Sequence, residues 1–314
     1  MNSHTGILLI NIGSPDQPTA VAVKRYLKKF LSDPHVVNIP KWIWNPILYG
    51  FILPFRSKKS ADLYKKIWTK EGSPLTIYSK KLAQKLKNKM DMPVELGMHY
   101  GQPFILEALL ALRSAEVKKI ILFPLYPQYS LSSTQAAIDL VTQQLKSIYY
   151  TPEIISIRDY ADHPFYIEAL CQTILKTWEK QGKSQQLLFS FHGLPQNTQN
   201  NLYQERCHLT AKLIAQKLNL EKNEWCISFQ SRLGRAAWLQ PYTDEVLKTF
   251  PKNGVTDIQV ICPGFAVDCL ETLEEIAIRG KEQFLSAGGV KFHYIAALND
   301  TDEHVDVFSK IIMQ

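Results

Sequence analysis

Eight short apolar segments of this sequence alternate with amphipathic segments of about a dozen residues or more. Each apolar segment is bounded by glycine, proline or polar residues, which is typical of a buried strand. Parallel strands need a crossover connection of this length, usually a helix. We therefore expect an α/β fold with parallel sheets and helices on both faces. The expected strands cover residues 6–12, 94–100, 119–126, 153–158, 186–192, 225–230, 257–262 and 291–296.

The number of strands and a weak internal repeat both indicate two halves. An apolar strand that meets a proline and then an aromatic residue occurs near Ile120 and again near Val260. We predict two Rossmann-like, doubly wound halves, each with a parallel sheet of about four strands, and a cleft between them. The first half is expected over residues 1–160 and the second over 161–300. The last helix, within 301–314, is expected to return to the first half.

The composition restricts the class of protein and its partners. Hydrophobic residues make up 46% and charged residues 21%, as in an ordinary globular protein. The formal net charge of +7 favours an anionic partner, but the lysines are scattered and no nucleic-acid reading motif is recognisable. The five cysteines form no C-x-x-C pair, and the N-terminal apolar run lacks a preceding basic region. We therefore expect a cytoplasmic protein with reduced thiols, no signal peptide and no nucleic-acid partner.

The segment 39–55 is strongly apolar and contains two tryptophans, but Pro40, Pro46 and Pro54 interrupt it and basic residues follow it. A membrane-spanning helix needs about 20 uninterrupted apolar residues, and interior prolines at this density break a helix. Three interpretations stay open. The segment could form the wall of a cavity for a flat apolar ligand, or a patch over 39–59 that contacts the inner face of the cytoplasmic membrane, or a buried irregular loop.

Polar side chains collect where the predicted strands end, and in a parallel sheet these carboxyl ends meet at one edge. The strand QLLFSFH ends at His192 before a Gly-Leu-Pro turn. Glu271 and Glu275 are spaced i, i+4 on one helix face, with Asp268 one turn earlier. Each group also has a structural interpretation, as a satisfied strand-end histidine or as helix N-terminal carboxylates. Together they predict a site that accepts protons near pH 7 and transiently holds Fe(II), Co(II) or Zn(II).

Six motifs follow one another along the chain: LLINIGSP at Leu8, GSP at Gly72, FPLYPQYS at Phe123, SFHGLP at Ser190, FQSRLGRAAWLQPYTDE at Phe229 and CPGFAVDCLETLEEI at Cys262. In this order they make the chain similar to the ferrochelatases, which insert ferrous iron into a porphyrin in the last steps of haem synthesis. The resemblance runs nearly from end to end. It implies two Rossmann-like halves that enclose a porphyrin cleft, in agreement with the alternation of strands and helices.

The resemblance implies roles for individual residues. His192 matches the family's active-site histidine, either as the base that takes pyrrole protons or as a metal contact, and Glu271 matches its acidic partner. Asp268 and Glu275 resemble carboxylates that guide metal in or protons out. The positions expected to contact porphyrin are Ile12, Tyr100, Tyr129, Trp238 and Phe265.

Departures from the wider family concern charge and metal binding. His99 stands where many members have arginine, so a propionate contact there would depend on pH. Cys269 stands where animal members have histidine. Arg232 and Arg235 are candidates for contacts with the propionates of the porphyrin. The chain lacks the clustered C-terminal cysteines of animal members, so we expect no iron-sulfur cluster and a monomer.

The resemblance implies protoporphyrin IX and ferrous iron as partners, with iron as a substrate and no permanently bound cofactor. Ile12, where coproporphyrin-using members have tyrosine, and the tryptophan-rich segment 39–55 favour protoporphyrin IX over coproporphyrin III. A cobalt or nickel tetrapyrrole chelatase of the same fold and a non-catalytic haem or porphyrin carrier stay as alternatives. A carrier, however, has no need for an acidic helix that faces its histidine.

Overall fold

The computed structural model describes residues 4–232 and 237–314. The chain divides into two compact units. The first unit comprises residues up to Leu125 together with Leu131–Arg158, and the second comprises Tyr126–Ser130 together with Asp159–Gln314.

Four parallel strands form the sheet of the first unit: β1 (Thr5–Asn11), β2 (Val94–Met98), β3 (Lys119–Pro124) and β4 (Glu153–Ser156). Their order is β2-β1-β3-β4. β2 lies on one side of β1, and β3 and β4 follow on the other side, so the strand order reverses between β1 and β3. The central strand β1 is wholly buried at Ile7–Ile10, where helices cover both faces of the sheet.

The described residues of the first unit contain six α-helices: α1 (Ala20–Leu31), α2 (Lys41–Ile47), α3 (Leu53–Ile67), α4 (Pro74–Lys89), α5 (Ile105–Ser114) and α6 (Ala136–Ser147). A π-helical turn over Leu131–Gln135 precedes α6. Thr19 caps the N-terminus of α1, since its hydroxyl oxygen accepts a hydrogen bond from the amide of Ala22 at 3.3 Å. The core between the sheet and α5 and α6 is built from aliphatic side chains of all three elements.

The apolar segment 39–55 is helical. The helices α2 and α3 are joined without a break by a π-helical section, Leu48–Ile52. The prediction that its prolines break the helix is wrong, because wider turns accommodate missing amide donors of this kind. The buried-loop interpretation is also wrong, since Trp42, Phe51 and Phe55 are 79%, 67% and 75% exposed.

The second unit repeats the design of the first. Its strands are β5 (Gln186–His192), β6 (Trp225–Gln230), β7 (Asp257–Ile261) and β8 (Lys291–Ile295). They form a parallel sheet in the order β6-β5-β7-β8, so the strand order reverses between β5 and β7. The prediction of an α/β fold with two parallel four-stranded sheets is therefore confirmed.

Outside the undescribed residues 233–236, six α-helices flank this sheet: α7 (Pro164–Gln181), α8 (Asn201–Lys217), α9 (Thr243–Thr249), α10 (Leu270–Thr272), α11 (Lys281–Ser286) and α12 (Asp302–Ile312). A π-helical section, Leu273–Gly280, joins α10 to α11. Short 3-10 helices lie at Thr198–Asn200 and Pro251–Asn253.

The last helix, α12, packs on α7 within the second unit. The ring of Phe308 makes an edge contact with Tyr160, with 6.0 Å between centroids, and Lys176 pairs with Glu303 at 2.6 Å. The sequence-based assignment of this helix to the first half is therefore wrong. Its apolar face packs on α7, the first helix of the second unit after Asp159.

Within the described residues, none of the helices has the length and hydropathy that crossing a membrane requires.

Candidate active site

His192 is the last residue of β5, at the point where the strand order of the second sheet reverses. Ligands of open α/β sheets bind at such reversals, outside the carboxyl ends of the strands. The backbone carbonyl of His192 accepts a hydrogen bond from the Tyr203 hydroxyl at 2.8 Å. The next residue, Gly193, donates its amide to the carbonyl of Gln230 at 2.7 Å, and a Cβ at Gly193 would lie 2.7 Å from that oxygen. Only glycine permits this approach, which fixes the direction in which the chain leaves His192.

The acidic residues lie on a continuous helical run formed by α10, the π-helical section and α11. We call this run the acidic helix. Glu271 lies in α10, immediately before the π-helical section, and Glu275 lies inside it. The i, i+4 spacing of Glu271 and Glu275 predicts a regular α-helix here, whereas the structure has a π-helical section. Sections of this kind occur frequently at functional sites because they change where side chains point along a helix.

Gln230, at the end of β6, connects His192 to the acidic helix. It is the parallel-strand partner of His192, and its side-chain Nε2 donates to the backbone carbonyl of Glu271 at 2.7 Å. The side chain is almost fully buried. Gln230 is not among the site residues predicted from the sequence. The available signal was an amide side chain at the end of an apolar strand, inside one of the motifs that carry the resemblance.

Glu275 is held by the residue that follows Gln230. The amide of Ser231 donates to Glu275 Oε1 at 2.9 Å, and the hydroxyl of Ser231 donates to Oε2 at 2.5 Å. Ser231 has a φ of 67°, a left-handed conformation that is uncommon for serine. Arg279 also approaches Glu275, with 3.7 Å between its guanidinium and Oε1. The carboxylate of Glu275 is thus half-buried and fixed in position.

Asp268 is buried among hydrogen-bond donors. Its carboxylate accepts from Tyr294 at 2.6 Å, from Thr272 at 2.9 Å and from the side chain of Asn299 at 2.7 Å, and its own amide donates back to Asn299 at 2.7 Å. These contacts join the start of the acidic helix to the segment after β8. They give Asp268 a structural role, while its part in a metal or proton path stays a prediction.

Three of the residues predicted to contact porphyrin lie in the second unit. The ring of Phe265 lies 6.4 Å from that of His192 between centroids. Trp238 pairs with Pro195, just beyond the Gly-Leu turn that follows His192. Tyr129 lies in the segment Tyr126–Ser130, which belongs to the second unit although the residues on both sides of it belong to the first. Its amide donates to the carboxylate of Asp159 at 2.8 Å.

The other predicted contacts lie in the first unit. Ile12 directly follows β1, where the strand order reverses, and His99 and Tyr100 follow β2. The rings of His99 and Tyr100 are stacked, with 4.1 Å between centroids, and both side chains contact Asp33, at 3.4 and 2.8 Å. Burial alone would raise the pKa of Asp33, but hydrogen bonds from His99, His35 and Tyr100 outweigh it and lower that pKa well below its ordinary value.

The arginine candidates for propionate binding are not equivalent. Arg232 pairs with Asp244 and Glu245, each at 3.1 Å, and lies over the ring of Tyr242. Its charge is therefore already balanced by α9. Arg235 lies outside the described residues.

The predicted metal contacts are one histidine and one carboxylate. Among residues 4–232 and 237–314, no group of three or more histidine, cysteine, aspartate or glutamate side chains has the arrangement of a metal site. Cys269 is buried beside Glu271, and burial together with that carboxylate raises the pKa of its thiol well above the usual range. The thiol is therefore held protonated, which makes it a poor metal ligand.

Comparisons with known proteins identify the family of this chain. The family model for ferrochelatase matches residues 4–314. A ferrochelatase of Vibrio parahaemolyticus is 48% identical over 309 residues, which cover 98% of this chain and 97% of that protein. A ferrochelatase of Vibrio cholerae is 45% identical over 316 residues, which cover 99% of each.

Solved structures support the fold. SirB from Bacillus subtilis, determined with Fe3+, matches with a TM-score of 0.60 at 11% identity, over 98% of this chain and 94% of that one. CbiX, a terminal enzyme of siroheme biosynthesis in denitrifying bacteria, matches with a TM-score of 0.53 at 11% identity, over 98% of both chains. At these identities the likeness shows a chelatase fold alone. The sequence matches go further and confirm the resemblance: this chain belongs to the ferrochelatase family, the lyases that insert iron into a porphyrin in haem biosynthesis.

Proposed function

We propose that the protein inserts Fe(II) into protoporphyrin IX to form protohaem, with His192 and Glu271 at the reacting centre. One observation carries the assignment of these two residues. Gln230 is the strand partner of His192 and its side chain donates to the backbone of Glu271 at 2.7 Å, so the strand end that carries His192 and the first turn of the acidic helix are joined through one residue.

The reaction explains why both groups are needed. The free porphyrin carries two pyrrole protons, and both leave as Fe(II) binds the four ring nitrogens. The imidazole of His192 takes a pyrrole proton as a general base, or alternatively contacts the entering metal. Glu271 supplies negative charge close to a cation that is losing its water ligands, which lowers the barrier to its transfer. Glu275, fixed by Ser231, adds a second carboxylate four residues farther along the helix.

Charge and hydropathy support protoporphyrin IX over coproporphyrin III. The two differ by vinyl groups in place of additional propionates, so an apolar surface favours the first. Ile12 presents an apolar side chain at the strand reversal of the first unit. Arg232 is already paired with two carboxylates and does not offer an unbalanced cation to another propionate.

The exposed side chains of α2 and α3 support a further part of the proposal, peripheral contact with a membrane through residues 39–59. Trp42, Phe51 and Phe55 are largely exposed, and basic Lys58 and Lys59 follow them in the chain. Aromatic side chains with a basic fringe suit an anionic lipid surface. We further propose a monomer in which iron is a substrate, with no permanently bound cofactor and no iron-sulfur cluster.

The test is an anaerobic metallation assay with purified protein, Fe(II) and each porphyrin. His192→Ala is expected to lower the rate about 10²- to 10⁴-fold, as for the loss of a general base. Glu271→Gln keeps the shape and removes the charge, and a loss of about 10-fold or more is expected. Matched controls are His293→Ala, a half-buried histidine of β8, and Glu282→Gln, an exposed residue of α11. Full activity of His192→Ala would contradict the mechanism, and faster use of coproporphyrin III would contradict the substrate.

A further inference from the structure

A buried hydrogen-bond network lies directly beneath His192 and Glu271. The hydroxyl of Ser190 donates to Gln230 Oε1 at 2.7 Å and lies 2.9 Å from the hydroxyl of Thr243, which is 2.8 Å from that of Ser228. All four side chains are at most 3% exposed. The network joins β5, β6 and the start of α9. Buried polar groups of this kind are retained at a cost in stability unless every member is satisfied.

The network determines which end of the Gln230 amide faces the acidic helix. Because Oε1 accepts from Ser190, and also from the Cys262 thiol at 3.5 Å, the NH2 group is the end that faces Glu271. It donates to the Glu271 carbonyl at 2.7 Å. The backbone carbonyl of the same Gln230 accepts from Gly193. One residue therefore contacts both the turn after His192 and the helix turn that carries Glu271.

We propose that Gln230 is the positioning residue of this site and sets the placement of the Glu271 carboxylate relative to His192. The inference rests on the proposed function. It assigns Gln230 no contact with porphyrin or iron; the amide acts through the backbone of Glu271. The bond lies two residues before the π-helical section begins, where the helical hydrogen-bond pattern changes, so a donor from outside the helix helps to fix this turn.

The size of the effect follows from geometry. A misplacement of about 1 Å at a reacting group can lower a rate about 10²-fold. Gln230→Leu keeps the approximate volume and removes the donor. It is expected to lower kcat about 10- to 100-fold and to change KM for the porphyrin less than about 3-fold, because Gln230 does not bind the substrate.

The chain contains a matched control. Gln259, in β7 of the same sheet, is also fully buried and also makes two hydrogen bonds, from Trp178 at 2.6 Å and to the carbonyl of Gly182 at 2.8 Å. Gln259→Leu removes the same chemical group from another part of the unit. Ser190→Ala is a milder second variant, since it leaves Gln230 in place and removes the donor that orients its amide.

A double-mutant cycle separates positioning from a general structural effect. If Gln230 acts through Glu271, Gln230→Leu lowers kcat in the wild-type background and has little further effect in the Glu271→Gln background. Gln259→Leu leaves kcat unchanged in both. Equal losses for Gln230→Leu in both backgrounds, or an unchanged kcat in folded Gln230→Leu and Ser190→Ala, would overturn the proposal.

Amide hydrogen exchange tests the inference without the reaction. Peptides that cover 270–280 are expected to exchange several-fold faster in Gln230→Leu than in the wild type or in Gln259→Leu. Unchanged exchange there overturns the positioning role even if activity falls. A wild-type protein without metallation activity would instead refute the proposed function, and the exchange data would still decide whether Gln230 holds the acidic helix.

Discussion

His304, at the start of α12, makes the stability of the second unit depend on pH in a direction that the structure specifies. Its ring is fully buried, with Nδ1 bonded to the carbonyl of Asn299 at 2.6 Å and Nε2 without a partner among the described residues. Burial lowers its pKa from 6.5 to about 4. The folded protein therefore holds the neutral imidazole under conditions in which the unfolded chain would already be protonated.

The sign and size follow from proton linkage. Because the pKa is lower in the folded state, the unfolded state binds more protons between about pH 6.5 and pH 4, and the free energy of unfolding falls as the pH falls through that range. From pH 7 to pH 5 the expected loss from this group is about 2 kcal/mol. That is a substantial part of the roughly 5–15 kcal/mol typical of a domain. Above about pH 7 the contribution is constant.

Urea unfolding at pH 7, 6 and 5, followed by far-UV circular dichroism, measures this loss. His208 and His293 also have a pKa lowered by burial and contribute with the same sign, so the informative quantity is a difference. His304→Asn keeps a side-chain NH near the position of Nδ1 and removes the titration. The wild type is expected to lose about 2 kcal/mol more than His304→Asn between pH 7 and pH 5. Equal pH dependence in the two proteins would refute the reasoning.

Two further predictions concern the site and the exposed patch. Gly193→Ala places a Cβ 2.7 Å from the Gln230 carbonyl, so the turn after His192 must move; a fall in kcat of about 10-fold or more is expected. Gly50→Ala, where a Cβ meets nothing within 4 Å, is the control, and equal activity of both would contradict the close approach. The double variant Trp42→Ser, Phe51→Ser is expected to sediment with anionic phospholipid vesicles at least several-fold less than the wild type. Tyr149→Ser, which changes another highly exposed aromatic, should bind as the wild type does; undiminished binding of the double variant would refute membrane contact through this patch.

The strands could be predicted from the sequence because buried parallel strands are nearly continuous apolar runs. The segment QLLFSFH is six buried residues followed by a half-buried histidine, and its end at His192 is where the structure has it. The strand order could not be predicted in the same way, since it depends on pairing between distant segments. That order is what places His192 at a reversal of the sheet.

The contacts that hold the acidic helix could not be inferred from local sequence. Gln230 and Ser231 bind residues 41 and 44 positions away in the chain, and no periodicity links them. For Asp268, the sequence shows a carboxylate among other acids, which suggests function. In the structure its carboxylate accepts hydrogen bonds from Tyr294 and Asn299, which lie 26 and 31 positions later in the chain, and these bonds explain how it can be buried. The π-helical section could not be predicted from the sequence either, because α- and π-helical turns use the same residue types.

The five residues Tyr126–Ser130 lie in the second unit although β3 before them and the turn after them belong to the first. The Gln128 amide donates to Thr210 at 3.0 Å, and the Tyr160 amide donates to the carbonyl of Pro127 at 2.9 Å. The chain therefore passes between the units three times, and no single cut in the gene separates them. A fragment that begins at Asp159 would lack a piece of its own interior, so the two halves, despite their matching sheets, are not interchangeable modules that could be expressed or exchanged alone.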